Sequence, residues 1–503
     1  MAYVLGADIG TEGTKVVVVD ARGQIVGKAY QSYSFEVQRS GWAEQAPDMW
    51  WEAFKACLKE LWTAGFRPAD MSAIGVAGQM HSSVLLDEHG AVIMKSILWN
   101  DTRTKAICDE ALESFGRNRY QAETCNSLLP GFTLGKLLWV RENLPEQYSQ
   151  IEHVLMPKDY VNFRLTGLYA ADVTDASGTG VFDVRERRWK EGLIAEFGLP
   201  RTWFPEVFES SRTVGFVSQS AGRETGLSPD TLVIAGAADN AAAAVGMGVV
   251  RPERGLVSVG TSGVVLCCLE HPPDAEQAAK QNSTLHVFCH AVPGMWYGMG
   301  VTLAAGASLR WLRDSLSGGR TYSELIEKAA SIECGSSGLF YFPFLAGERT
   351  PYNSDRMRAA FLGVHMGHQL SHFVRSVIEG VSYSLRDCLN VVHSVSGDVN
   401  EFIITGGAVN SSLWLQVLSD VLDAKLIVPN YSEGAALGAA LLAGIAGGHW
   451  SGLEEAFMER SPMHHVDQSM ERDFYQRQYR QYKIYAESLL RASAAVKELA
   501  VRQ

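Results

Sequence analysis

The stretch that most constrains this chain is GADIGTEGTKVVVVD, Gly6 to Asp20, in which a turn rich in glycine and hydroxyl residues runs into four consecutive valines. A β-branched run of that kind belongs in a strand, so the turn closes a hairpin. This excludes the two best-known phosphate loops. Both GxxxxGK[ST] and GxGxxG need a helix behind the glycines to offer its N-terminus to the phosphate, and Lys15 here follows Thr14 rather than a glycine. The same form recurs in the second half as GLVSVGTSGVVLCCLE, Gly255 to Glu270. Two such hairpins predict two related domains facing a shared cleft.

Strand-like runs (KVVVVD, AIGVAG, TLVIAGA, GLVSVG, EFIITGG) alternate with helical segments along the chain, the α/β pattern. At 503 residues the chain exceeds what one core serves. The expected boundary lies in GMGVVRPERG (Gly246–Gly255), giving domains over 1–246 and 247–503.

A net charge of −12 argues against a nucleic-acid or anionic-membrane partner. The eight cysteines are scattered without a CxxC pair, which reads as reduced thiols in a cytoplasmic protein. The start of the chain has no basic segment, and Asp8 interrupts its first apolar run, so no signal peptide is expected. GAALGAALLAGIAGG (Gly434–Gly448) reads as a close-packed helix rather than a membrane span. Tyr475, Tyr479, Tyr482 and Tyr485 fall at helical spacing, one face of a terminal helix packed on the body. His464, His465 and Asp467 read as solvated surface in a polar loop.

Two groups carry chemistry. In the opening turn, backbone N–H groups with Thr11, Thr14 and Lys15 could wrap a phosphate. Asp8 would repel that phosphate unless a Mg²⁺ stood between them. The turn alone leaves open a plain glycine-rich hairpin with Asp8 solvated. In TLVIAGAADNAAAAVGMG (Thr231–Gly248), Asp239 and Asn240 join a buried strand to an alanine-rich helix. Asp239 there is a helix N-cap, which keeps it ionised, and an ionised carboxylate can take a proton from an attacking hydroxyl.

With these pieces together the chain resembles the FGGY family of carbohydrate kinases. GFTLGKLLWVREN (Gly131–Asn143) matches that family's first signature through Thr133, Lys136, Trp139 and Glu142. AAFLGVHMGHQLSHFVRSVIE (Ala359–Glu379) matches the second through Gly363, His372, Ser376 and Glu379. The resemblance implies an α/β fold of two actin-like, ribonuclease-H-like ATPase domains facing a central cleft. It makes Asp8 a catalytic metal carboxylate and Asp239 the general base. It implies that Asp8 and the turn of Gly10, Thr11, Thr14 and Lys15 form a first phosphate loop, and GTSG, with Gly260 and Thr261, a second. Gly306, Arg310, Gly406, Gly407 and Asn410 would line the adenine side. ATP with Mg²⁺ would be the donor, and a homodimer is compatible with the family. The family is often glycine-rich before its base, whereas Ala237 and Ala238 stand here.

Three stretches resemble the members that phosphorylate D-xylulose: GQMHS (Gly78–Ser82), LWNDTR (Leu98–Arg103) and LAGERTPYN (Leu345–Asn353). By that resemblance Met80, His81, Asp239 and Asn240 hold the sugar on the N-terminal domain. Read by itself, His81 would be a structural histidine. Ser82 stands where glycine is usual and is expected to narrow the pocket, while Trp99 reads as packing. The expected reaction is phosphorylation of D-xylulose to D-xylulose 5-phosphate. The alternatives are a kinase for another ketose or polyol (D-ribulose, L-xylulose, erythritol, glycerol), a sugar sensor on a kinase fold, and an actin- or chaperone-like ATPase.

Overall fold

The computed structural model describes residues 2–431, 433–457 and 464–495. Two seven-stranded sheets organise it. The first holds β1 (Tyr3–Ile9), β2 (Gly13–Val19), β3 (Ile25–Ser32), β4 (Met71–Gly78), β5 (Thr213–Phe216), β6 (Leu232–Ile234) and β7 (Ala237–Ala238), in the order β5-β6-β4-β1-β2-β3 with β7 also on β4. The second holds β8 (Arg254–Val259), β9 (Gly263–Leu269), β10 (His286–Cys289), β11 (Trp296–Thr302), β12 (Glu401–Gly406), β13 (Lys425–Val428) and β14 (His464–Val466), in the order β10-β11-β9-β8-β12-β13-β14.

The two sheets share one plan. In the first, antiparallel β3-β2-β1 continues into parallel β4 and β6. In the second, antiparallel β11-β9-β8 continues into parallel β12 and β13. The two hairpins expected from the sequence are β1–β2 and β8–β9. The valines of β2 are fully buried on both faces, as central strands covered by helices require.

Six helices matter below: α1 (Thr133–Asn143), α2 (Asp239–Met247), α3 (Gly306–Leu316), α4 (Leu370–Ser396), α5 (Gly434–Ala446) and α6 (Arg472–Ala495). The alanine- and glycine-rich α5 is the close-packed helix expected. It comes from the second half of the chain yet lies on β1 and β4 and against α2. Its small residues permit this. A Cβ on Gly438 would collide with the carbonyl oxygen of Ala242, and one on Gly6 with that of Ala436. Dispersion and apolar burial then act across a backbone-to-backbone contact. The seam between the halves is therefore a packed pair of helices, and α2, which begins at Asp239, runs along it.

On α6, Tyr475, Tyr479 and Tyr482 are buried as the spacing predicted. Tyr475 donates to Glu379 of α4, whose carboxylate also accepts from Gly335 N–H, Ser336 and Arg375. The second signature thus works as a structural hub. His464 and His465 are exposed as expected, but they lie in β14, paired with β13, and not in a loop. All eight cysteines are free thiols. Among the described residues no helix is long and apolar enough to cross a membrane.

Candidate active site

In both hairpin turns the carbonyls are tied back and amides are left free. Gly10 C=O accepts from Tyr33 Oη at 2.7 Å, Thr11 C=O from Gln45 Nε2 at 2.7 Å, and Glu12 C=O from Tyr30 Oη at 3.1 Å. Gly260 C=O accepts from Gly306 N–H at 2.8 Å, and Thr261 C=O from Ala305 and Ala307 N–H at 2.9 and 3.1 Å. Among the described residues, nothing accepts from the N–H groups of Thr11, Glu12, Thr261 or Ser262. A turn held this way presents donors and no acceptors, which suits an anion. The side chains contribute less than the sequence suggested. Thr14 is fully buried and its hydroxyl pairs with Tyr33 Oη at 3.1 Å, because strand alternation turns it from the turn's mouth. Thr11 Oγ1 donates to Gln79 at 3.2 Å and accepts from Trp99 Nε1 at 2.9 Å. Gly10 N–H closes the turn onto Gly13 C=O at 3.0 Å. Lys15 stands across the hairpin from Asp8, on the same face.

Beside the second turn lies a cavity of about 230 Å³ lined by Met80, His81, Trp99, Asp239, Asn240 and Arg349 among others. Ser262, Val264, His286, Met299 and Val301 also face it, so the sugar site expected on the N-terminal domain draws its walls from both halves.

His81 is fixed on four sides. It follows β4 with φ +66°, a left-handed conformation that costs a non-glycine residue energy. Its carbonyl accepts from Thr133 Oγ1 at 3.1 Å and Lys136 Nζ at 2.6 Å, both on α1. Its ring stacks on Phe132 with centroids 4.6 Å apart. Nδ1 lies 2.7 Å from the carbonyl of Gly178, an acceptor, so Nδ1 carries the proton. A Cβ on Gly178 would strike that nitrogen. Burial holds the His81 pKa down at about 3. The imidazole is therefore neutral, with Nε2 left as an acceptor. The first signature is the clamp that holds this histidine.

Asp8 and Asp239 end parallel strands on either side of β4: Asp8 pairs with Ala77, and Ala77 with Ala237. Asp239 is the first residue of α2, not its N-cap, which is Ala238. Its Oδ1 accepts from Asn240 N–H at 2.7 Å and Asn240 Nδ2 at 3.0 Å. Burial, and then the charge of Asp8, push its pKa up to about 7, so the helix terminus does not keep it as acidic as expected. Burial likewise raises Asp8 to about 6, partly offset by Lys15. Asp8 Oδ1 is buried without a hydrogen-bond partner. An orphaned carboxylate oxygen near a second raised carboxylate fits a divalent cation, which takes oxygen ligands from one or two carboxylates.

On the far side of the second turn is a cavity of about 850 Å³ lined by Gly260, Thr261, Gly306, Arg310, Gly407 and Asn410, together with Tyr322 and Trp414. The sequence named six of these eight. Arg310 Nη2 donates to Thr261 Oγ1 at 3.2 Å. Gly406 is not in the lining; its φ of +86° lets the chain turn off β12 beside β8.

Some residues were missed or misplaced. Trp99 is not packed away: it is 37% exposed and forms part of the wall of the smaller cavity. Ser82 is fully buried, donates to Gln79 at 3.3 Å and accepts from Trp99 N–H at 3.2 Å, so it supports that wall without narrowing the cavity itself. Ala237 and Ala238 are buried outside the lining. His286 and Arg349 come from the second half. Arg349 lies in a quoted stretch, where a charged pair interrupting an apolar run was the available signal.

Two repeats of one sheet plan, each carrying a donor-lined turn in its first hairpin, place the protein among phosphotransferases built on the actin-like, ribonuclease-H-like ATPase fold. Models of the N-terminal and C-terminal domains of the FGGY family of carbohydrate kinases match residues 3–246 and 255–447. The chain belongs to that family and is an ATP-dependent sugar kinase. It is 36% identical to the xylulose kinase of Lactococcus lactis over 460 residues, 90% of each chain. It is 35% identical to the xylulose kinase of Bacillus subtilis over 456 residues, again 90% of each. The crystal structure of a xyloylose kinase from Brucella ovis superimposes with a TM-score of 0.89 at 32% identity, covering 97% of this chain and 99% of the other.

Proposed function

We propose that the protein transfers the γ-phosphoryl group of ATP to the terminal hydroxyl of D-xylulose, giving D-xylulose 5-phosphate and ADP. The observation that carries this is Asp239. One of its carboxylate oxygens is held by Asn240, and the residue lines a cavity that includes Ser262 of the second turn and Trp99, whose indole N–H bonds Thr11 of the first. The substrate is taken from the relatives named above, whose identity to this chain spans nine-tenths of its length.

Asp239 accepts the proton of the sugar's C5 hydroxyl. The freed oxygen attacks the γ-phosphorus, the bond to the β–γ bridging oxygen breaks, and ADP leaves. A base whose pKa lies near the working pH suits this step. His81 Nε2 accepts a sugar hydroxyl, and Met80 and Phe132 cover apolar carbons. The turns at Thr11–Glu12 and Thr261–Ser262 hold phosphate oxygens, with Lys15 beside the first. Asp8, with its orphaned Oδ1, is the carboxylate that would hold Mg²⁺, which when bound neutralises phosphate charge. Residues 1–246 and 247–503 act as the two domains, closing on the substrates and excluding water.

The test is product identification by mass and phosphorus resonance after incubation with MgATP and D-xylulose, D-ribulose, L-xylulose, erythritol or glycerol. D-xylulose 5-phosphate as the dominant product supports the reading. A dominant product from another sugar moves the substrate and leaves the mechanism.

A further inference from the structure

Arg349 faces the sugar cavity from the second half of the chain. Among the described residues, no acceptor lies within hydrogen-bond distance of its guanidinium. The carboxylate next to it in sequence is already committed. Glu348 accepts from Thr302 Oγ1 at 2.6 Å, Ser384 Oγ at 3.1 Å, Leu303 N–H at 3.0 Å and Arg349's own N–H at 2.7 Å. A guanidinium is a donor in every direction and accepts nothing. Left without a protein partner in a largely apolar wall, it calls for an acceptor oxygen from the ligand.

The other polar groups of the cavity are complementary to it. His81 Nε2 is an acceptor, because Nδ1 carries the ring proton. Asp239 is an acceptor when ionised. Both want hydroxyl protons. Asn240, Ser262 and His286, also in the lining, can each accept as well, but Arg349 is the one charged, forked donor among the lining residues, suited to an oxygen that needs no partner for a proton of its own.

We infer that Arg349 reads the C2 carbonyl oxygen of the sugar and so selects an open-chain ketose over the corresponding polyol. This rests on the substrate reading above. Sugar chemistry supports it independently. A pentulose closes its five-membered ring through the C5 oxygen, so a molecule whose C5 hydroxyl is free to be phosphorylated carries C2 as a carbonyl. A carbonyl accepts from the guanidinium and leaves nothing unsatisfied. A hydroxyl in its place must also find an acceptor for its proton, competing with the sugar's own hydroxyls for His81, Asp239 and the other polar groups of the lining. A site built to pair one group discriminates strongly against an analogue that leaves a buried partner unpaired.

The experiment compares kcat/KM for D-xylulose with that for xylitol and D-arabitol, its two C2-reduced forms, in the wild type, Arg349→Met and Arg349→Lys. Thermal unfolding of each variant checks its fold. In Arg349→Met the value for D-xylulose is expected to fall about 10- to 100-fold, the weight of a hydrogen bond to a charged group, and the polyol values to change less than about 3-fold. Arg349→Lys keeps charge but loses the fork and should fall between the two. If Arg349→Met does not fold, the ketose-to-polyol ratio of Arg349→Lys decides. Equal losses on ketose and polyol, or no loss on either, overturn the inference while leaving the substrate reading intact. A wild type that turns over a polyol or the carboxylate analogue D-xylonate faster than D-xylulose overturns both.

Discussion

The ammonium nitrogen of Lys136 lies 2.6 Å from the carbonyl oxygen of His81. The lysine is fully buried, and burial lowers its pKa to about 7. A buried cation is expensive unless it is used, and here it holds the peptide of a residue in a left-handed conformation. The cavity-facing imidazole is thus positioned from behind by the signature helix.

Lys136→Met keeps the volume and removes the donor. His81 C=O keeps only Thr133, and its strained φ is no longer fully paid for. The expected cost is about 1–3 kcal/mol of stability, typical for a buried partner left unsatisfied. The KM for sugar should rise on the order of tenfold, the equivalent of about 1.4 kcal/mol, with the KM for ATP little changed. Thermal unfolding and steady-state kinetics with each substrate varied in turn check this. A change in ATP affinity larger than in sugar affinity would contradict the clamp.

Gly306→Ala separates the other end of the site. A Cβ there would lie 2.5 Å from the carbonyl oxygen of Gly260, which the N–H of Gly306 now ties back. The second turn must shift and lose its donor-only face. The expected result is a rise in the KM for ATP of roughly tenfold or more, from the loss of one or two N–H contacts to a charged group. Sugar binding without nucleotide, read by calorimetry, should stay within about twofold, a few tenths of a kcal/mol.

Asp8 couples function to stability. Its folded pKa of about 6 exceeds the ordinary carboxylate value, so the unfolded chain releases the proton first. Stability therefore falls as pH rises from about 4 to about 6, and the full cost persists above that range. Asp8→Asn removes the charge. In the presence of a chelator the variant should match the wild type near pH 4 and exceed it by about 1–2 kcal/mol at pH 8. Added Mg²⁺ should stabilise the wild type and not the variant, and the variant should lose turnover. Denaturation with and without Mg²⁺ at the two pH values reads this directly. A variant less stable than the wild type at pH 8 would contradict the assignment of Asp8 as an uncompensated carboxylate awaiting a cation.

The parts legible in the sequence were those with a local signature. Four valines after a glycine turn are a hairpin, small residues in α5 are a close helix contact, and tyrosines at helical spacing are a buried face. The parts not legible depend on what the folded chain brings together. Thr14 has the same residue type as Thr11, yet strand alternation buries it on the opposite side against Tyr33. Trp99 is an aromatic in an apolar stretch, and nothing local says that its indole N–H reaches Thr11 and leaves the ring on the cavity wall. Arg349 and His286 face the same cavity as His81 and Asp239 only because segments far apart in sequence meet there. Asp239 sits at a helix start, where a low pKa is the rule, but burial and Asp8 outweigh the helix.

The measurement that tests the central claim most directly is sugar-dependent ADP release from MgATP by the wild type and by Asp239→Ala. With D-xylulose the wild type should release ADP well above its rate without sugar. Asp239→Ala should lose at least about 100-fold in kcat, the contribution of a positioned general base, while still binding D-xylulose by calorimetry. A variant that keeps wild-type turnover would show that Asp239 does not take the proton.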